Sequence, residues 1–449
     1  MLRRLLRLGL AIAIALIVGV PGCVVWHSRD LPEVFDGDLT IPPLAIEDEE
    51  SNAYTHLERA AAALVWPEDP EGSLDPPHLG DNWEPQRAEQ LVASNEATLT
   101  HLSRALEAPS FQLPQYDILD LHSSSFPLGF PSVKLTNVLA ARAFLRADRG
   151  ETRAALEEAL RVVHFGHRLE QAHRSDLFCM MMGVHRKASG LRIMREIAAH
   201  APIDAPLARE FASRLDGYRT EPETWSRAWA WEYQTNKKIF ELVRDPPTRQ
   251  LESYEVAYLA EKKSDSWLTS LIPKAYVYHH NRSLTLEAAF TRSMQRDSFK
   301  PCAELEPPTE FVPEDGFERL RVILFPSSVG KIVLAISTPS FRHFQLRRCG
   351  SETVLAATRA VLVLEAYRRE RGELPKSLEE LVPELLLEVP RDGFDGAPLR
   401  YLAERAVVYS VGADLIDEGG RVGADERDLD EPAFWLGDPS RAADEGGAG

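Results

Sequence analysis

Val138-Leu139-Ala140-Ala141-Arg142-Ala143-Phe144-Leu145, a turn at Asp148-Arg149-Gly150, and Ala154-Ala155-Leu156-Glu157-Glu158-Ala159-Leu160 carry the reading that decides the fold. Both runs hold apolar residues at helical spacing, and a Gly-containing turn joins them. Residues 135–170 therefore read as the two helices of one antiparallel hairpin. The small residues Ala140, Ala143, Ala155 and Ala159 let such helices approach closely. Helix packed on helix is the expected architecture.

The hairpin resembles a single tetratricopeptide-like unit, but no second copy follows at the ~34-residue period of such arrays, which stack about three units or more. Working outward, residues 51–300 read as one α-helical domain. Tyr54, Leu57, Ala61, Leu64 and Val65 make an apolar stripe that stops at Trp66-Pro67, and a helix resumes over Glu84 to Ala108. Further helices are expected over Asp176 to Ala199, Pro206 to Gly217, Glu223 to Val243, Glu252 to Lys262 and Ile272 to Ser293. Residues 28–50, rich in Pro and acids, read as a spacer, and residues 301–316, with Pro301, Pro307, Pro308 and Pro313, as a linker between domains. A second unit, 317–436, then opens with an apolar run from Val322 to Ile336 that Pro326 and Lys331 interrupt. It continues in a long helix over Ser351 to Arg371, closed by Gly372, and in short strands. Residues 437–449 read as a disordered tail. The fold class is mainly α with a small α+β C-terminal module.

At the other end, residues 1–27 read as a membrane anchor or signal segment. Arg3, Arg4 and Arg7 precede an uncharged stretch from Leu8 to Trp26. Those about 19 residues, at ~1.5 Å each, reach about 28 Å as a helix, close to the ~30 Å bilayer core. Asp30, Glu33, Asp36 and Asp38 follow, so the positive-inside bias puts the N-terminus in the cytoplasm and exports the rest. Three fates of the segment fit: a retained single-pass anchor, a cleaved signal peptide, or lipidation at Cys23, since Val20-Pro21-Gly22-Cys23 resembles a bacterial lipobox apart from Pro21. All three place the bulk of the chain in a bacterial envelope.

The formal net charge of −18 and the lack of a Lys/Arg stripe exclude a nucleic-acid partner. Of the four cysteines, Cys23, Cys179, Cys302 and Cys349, none forms a CxxC pair, which leaves zinc-ribbon and thioredoxin-like sites unsupported. An oxidising compartment would permit a Cys302–Cys349 bridge, and two unpaired thiols fit the sequence equally.

Tyr367, Gly372, Leu374-Pro375, Ser377-Leu378, Leu381, Pro390, Asp392, Phe394, Gly396, Pro398 and Tyr401 precede Tyr409-Ser410-Val411-Gly412-Ala413-Asp414, Asp417, Gly419-Gly420, Asp425 and Asp428. This pattern resembles the globular domain of the G-type (major) pseudopilin of type II secretion, over about 90 residues. The same tail resembles that of uncharacterised bacterial envelope proteins. The pseudopilin resemblance implies a long helix packed on a small antiparallel sheet, and a calcium ion held by Asp414, Asp417, Asp425 and Asp428, carboxylates being the hard ligands calcium takes. Leu415 stands where the family has Gly after the first Asp. Met1 to Trp26 carries no pilin-type cleavage site, so filament assembly is not expected.

Two other groups could carry chemistry. His164, His167 and His173, with His185 or Glu170, would make a metal site if they converged; satisfied, partly buried histidines are the ordinary alternative. Trp225, Trp229, Trp231 and Tyr233 beside Glu221, Glu223 and Glu232 would make a saccharide cleft if two carboxyls faced each other about 5–9.5 Å apart; an aromatic core is the ordinary alternative. His279-His280 reads as helix surface. No phosphate-binding glycine loop, GxSxG or His-Glu-x-x-His motif occurs. The expected function is a membrane-anchored extracytoplasmic scaffold or binding protein with an envelope protein partner; the rival is an envelope hydrolase acting on cell-wall saccharide.

Overall fold

A computed structural model describes residues 29–42, 48–67, 79, 83–114, 129–244, 278–305, 328–421 and 430–437. The anchor with Cys23, the helix expected over Glu252 to Lys262, Pro307 to Gly316, Asp425, Asp428 and residues 438–449 lie outside the described residues. Those described are mainly helical, with one small three-stranded antiparallel sheet.

Helix α1 (Ala53–Ala62) begins where Asn52 caps it, Oδ1 accepting from the N–H groups of Tyr54 at 3.1 Å and Gln112 at 3.0 Å. The single helix expected over Glu84 to Ala108 is two, α2 (Pro85–Ser94) and α3 (Glu96–Glu107). The break is at Asn95, whose buried side chain donates to the carbonyls of Val65 (2.7 Å) and Leu91 (2.9 Å) and accepts from the Val65 N–H (2.9 Å). An amide that offers the backbone other partners competes with the helix ladder.

The hairpin is α4 (Gly129–Asp148) and α5 (Thr152–Gln171), turning at Gly150, whose φ of 76° suits a residue without Cβ. Ala140, Ala143, Ala155 and Ala159 are all buried between its helices and their neighbours. Across the hairpin, Glu158 accepts from Arg142 at 2.5 Å. Helix α6 (Leu177–His200) is capped by Asp176, which accepts from the Cys179 N–H at 2.9 Å. It crosses α5 backbone to backbone. A Cβ on Gly166 would sit 2.5 Å from the Gly183 carbonyl oxygen, and one on Gly183 would sit 2.7 Å from that of Gly166. Helix α7 (Ala205–Leu215), capped by Asp204, follows. Helices α8 (Pro222–Arg244) and α9 (His280–Asp297) then form an antiparallel pair, with Trp229 against Phe290 near one end and Phe240 against Leu284 near the other.

Helix α10 (Ser328–Arg371) runs through the boundary expected near Ser351. Its stretch Val354 to Leu364 is buried on every face. One side meets α6 and α7; the other meets the sheet of β1 (Arg400–Leu402), β2 (Val407–Tyr409) and β3 (Ala433–Trp435). Tyr401 pairs with Val408, and Val408 with Phe434. Arg195 on α6 stacks 5.2 Å from the Phe434 ring, tying the sheet to the helical layer. No described helix is long and apolar enough to cross a membrane.

Two expectations about organisation are corrected. Leu57, Phe144, Phe165, Ile197, Phe211, Val361, Leu364, Val408 and Phe434 belong to one buried cluster, so the linker at 301–316 does not divide two cores. Each fully buried Val, Leu or Phe there contributes about 1.5–3 kcal/mol, and splitting the units would expose both faces at once. Residues 30–39 are likewise no free spacer. Leu39 is wholly buried against Tyr233 and Ala288. Asp36 accepts from Lys237 Nζ (2.6 Å) and the Tyr233 hydroxyl (2.8 Å), and Arg292 grips Asp38 through two bonds of 2.7 Å. Cys302 and Cys349 form a disulfide, joining the segment after α9 to α10, and Cys179 is a buried free thiol.

Candidate functional site

The sequence marked three places for chemistry, and the fold treats each differently. Around Trp225 and Trp229 it builds a packed interior. Both rings are 1% exposed and meet Phe344 edge to face at 5.2 and 5.3 Å, with Met180, Val184 and Met294 completing the cluster. A ring that stacks on a sugar must show its face to solvent. Glu221, just before α8, and Glu223, in its first turn, are exposed and stand apart from this interior.

Glu232 is different. It faces inward at the junction of α8 with the start of α6, where the Leu177 N–H bonds to it. Burial, followed by the charges of Asp176 and Glu287, pushes its carboxyl up to about 8. One turn along α8, Asn236 donates from Nδ2 to Glu287 Oε1 of α9 at 2.9 Å. Glu287 is 1% exposed, and its Oε2 has no hydrogen-bond partner among the described residues. Burial lifts this second carboxyl to about 7, with the Asn236 bond opposing. The α8–α9 layer thus holds two acids, Glu287 enclosed and Glu232 half-buried, that keep their protons near neutrality, with no described cation against either carboxyl. Sequence reasoning reached Glu232 and missed Glu287. The signal available was its place among Leu284, Ala288 and Thr291 on the apolar face of α9, where an acid has little water to ionise into. His279, read as helix surface, is 1% exposed at the start of α9, and neither ring nitrogen has a partner among the described residues.

The histidines do not converge. His164 donates from Nε2 to the Leu106 carbonyl (3.3 Å), His167 Nε2 meets the Gln171 amide (3.0 Å), His185 Nδ1 lies 2.8 Å from the Met181 carbonyl, and His173 is exposed. Glu170, the acid expected to join them, is wholly buried; of these histidines it meets His167, whose Nδ1 lies 3.6 Å from Oε2, and its main partners are Lys187 and Thr220. Lys187 Nζ donates to its Oε2 at 2.8 Å, and Thr220 Oγ1 to the same atom at 2.5 Å. Burial alone would raise this carboxyl, but the Lys187 ammonium and the bonds from His167, Lys187 and Thr220 outweigh it and hold the group below the ordinary carboxylate range.

The loop after β2 is organised by carboxylates bonding to backbone. Asp414 accepts from the Ile416 N–H (2.9 Å); Asp417 accepts from the Gly419 N–H (3.0 Å) and the Tyr409 hydroxyl (3.2 Å). Glu431, fully buried, accepts from the N–H groups of Glu418, Gly420 and Arg421 at 2.9, 3.2 and 2.5 Å. It was not singled out in the sequence, and it pins the backbone of residues 418–421. No trio of His, Cys, Asp or Glu suited to a metal ion occurs among the described residues. Asp392, also buried, gathers Ser410 Oγ (2.8 Å), the Phe394 and Val411 N–H groups (3.0 Å each) and Arg400 (3.1 Å), fixing the 390–400 turn against β2.

A cleft of about 570 Å³ lies between α7, α10 and the 383–387 turn. Its two guanidinium groups are engaged internally: Arg359 with Asp216 at 2.6 Å, and Arg209 with the Glu384 carbonyl at 3.4 Å. Searches against protein-family models, curated proteins and solved structures return no match for this chain.

Proposed function

We propose that this chain is a single-pass, membrane-anchored extracytoplasmic scaffold or binding protein of a bacterial envelope, acting without catalysis on an envelope protein partner. The observation that carries the reading is the filled interior at Trp225 and Trp229, where a saccharide-binding enzyme would need an open aromatic face. The Cys302–Cys349 bridge suits an oxidising compartment, and the uncharged stretch from Leu8 to Trp26 supplies the tether. The pseudopilin-like reading of the C-terminal module belongs to the same proposal, supported by a long helix lying on a small antiparallel sheet. Enclosure of Val354 to Leu364 on all sides argues against polymerisation through that helix. Calcium held by Asp414, Asp417, Asp425 and Asp428 is the cofactor part of the proposal. It predicts that chelation lowers the melting temperature of the full chain, and an unchanged melt removes the ion.

The rival hydrolase reading has one observation in its favour: Glu232 keeps its proton to about pH 8, as a general acid must. In-cell crosslinking separates the two. Recovery of a stoichiometric envelope protein, with no release of fragments from cell-wall saccharide, supports the scaffold. Fragment release that Glu232→Gln abolishes supports the hydrolase.

A further inference from the structure

Residues 30–38 lie as a strap along α8 and α9, which fixes where the chain leaves toward its apolar N-terminal stretch. Asp30 accepts from the N–H groups of Asn281 (2.8 Å) and Arg282 (3.0 Å) in the first turn of α9, where the helix dipole favours a carboxylate. Asn281 Nδ2 donates to the Leu31 carbonyl at 2.8 Å. Further on, Asp38 is held by Arg292 near the other end of the helix. The strap therefore runs from the start of α9 toward its end, and residue 29 departs at the pole where α9 begins and α8 ends.

We propose that this pole is the membrane-facing one and that the lipid headgroup surface is its partner. The inference rests on the reading of Leu8 to Trp26 as a retained span. Only four residue steps separate Trp26 from Asp30. Fully extended they reach at most about 14 Å, and the headgroup layer itself occupies about 5–7 Å on each side of the hydrocarbon. A chain this short holds the start of α9 at the headgroups, so residues 28–50 do not lift the body off the bilayer. The opposite pole stands away. Arg296 lies fourteen residues beyond Arg282 on α9, about 21 Å along the axis.

The test uses the full chain in vesicles carrying an energy-transfer acceptor on their lipid headgroups. A donor is introduced as a genetically encoded fluorescent residue at Glu241, exposed in the last turn of α8, or at Arg296, exposed in the last turn of α9. Transfer from position 241 exceeding that from position 296 severalfold is the expected result. Equal transfer, or stronger transfer from position 296, in protein that co-floats with the vesicles overturns the orientation while leaving the anchor intact. Protein that fails to float with the vesicles overturns both.

Discussion

Replacing Glu287 by Gln should flatten the pH dependence of stability. The Glu287 carboxyl is 1% exposed, bonded among the described residues through Oε1 to Asn236, and raised by burial to about 7 from an ordinary value of 4.5. Between those two values the folded chain retains a proton that the unfolded chain has released. The group's contribution is therefore fully present below about pH 4.5 and is lost as pH rises through about 7. Each pH unit in that window is worth about 1.4 kcal/mol, so the span amounts to on the order of 3 kcal/mol. The Gln side chain keeps an acceptor for Asn236 but puts an NH2 where Oε2 has no described partner, a pH-independent cost of about 1–3 kcal/mol. Glu232 titrates in the same sense in both proteins; the variant loses the Glu287 charge, a lesser cause of its raised value, and keeps burial, the largest, so its contribution nearly cancels below about pH 7. Denaturant unfolding followed by tryptophan fluorescence reports the layer directly, because Trp225 and Trp229 lie in it. From about pH 5 to about pH 7, wild type should lose stability faster than the variant by nearly one proton's worth, about 1.4 kcal/mol per unit. Parallel pH profiles would refute the assignment of a buried, protonated carboxyl.

Lys187→Ala should destabilise the chain by about 3–5 kcal/mol in urea melts, because it leaves the buried Glu170 carboxylate with Thr220 and without its cation. Gly183→Ala should cost about 1–3 kcal/mol or more and lower the melting temperature, since its Cβ would meet the Gly166 carbonyl oxygen at 2.7 Å. Replacing both Cys302 and Cys349 by Ser opens a link across 47 positions. The chain-entropy estimate for that loop is about 4 kcal/mol, read as a lower unfolding midpoint that reductant no longer shifts.

The hairpin was legible because its determinants are local: apolar spacing on both arms and a turn at Gly150. The start of α6 was legible for the same reason, since Asp176 is both in the sequence and in the cap. What escaped lies in contacts between distant positions. Asn95 breaks a helix because Val65, thirty residues earlier, offers it a better partner. Asp36 and Asp38 look like solvated charges until Lys237 and Arg292 are brought beside them by the fold. On α10, Arg359 and Glu365 find partners in Asp216 and the Gly437 N–H that only tertiary packing supplies. The candidate sites divide the same way. Residue type marked the Trp and His groups, whereas burial, which decides their chemistry, depends on neighbours that the local sequence does not name.

The central claim is a body held outside the cytoplasmic membrane by its N-terminal stretch. Its most direct test is protease treatment of intact spheroplasts carrying a C-terminal epitope on the full chain, with alkaline carbonate extraction of the same cells in parallel. The account predicts an epitope destroyed from outside and an untreated chain that stays with the membrane pellet. An epitope protected until the cells are lysed, or a chain released by carbonate, would contradict it.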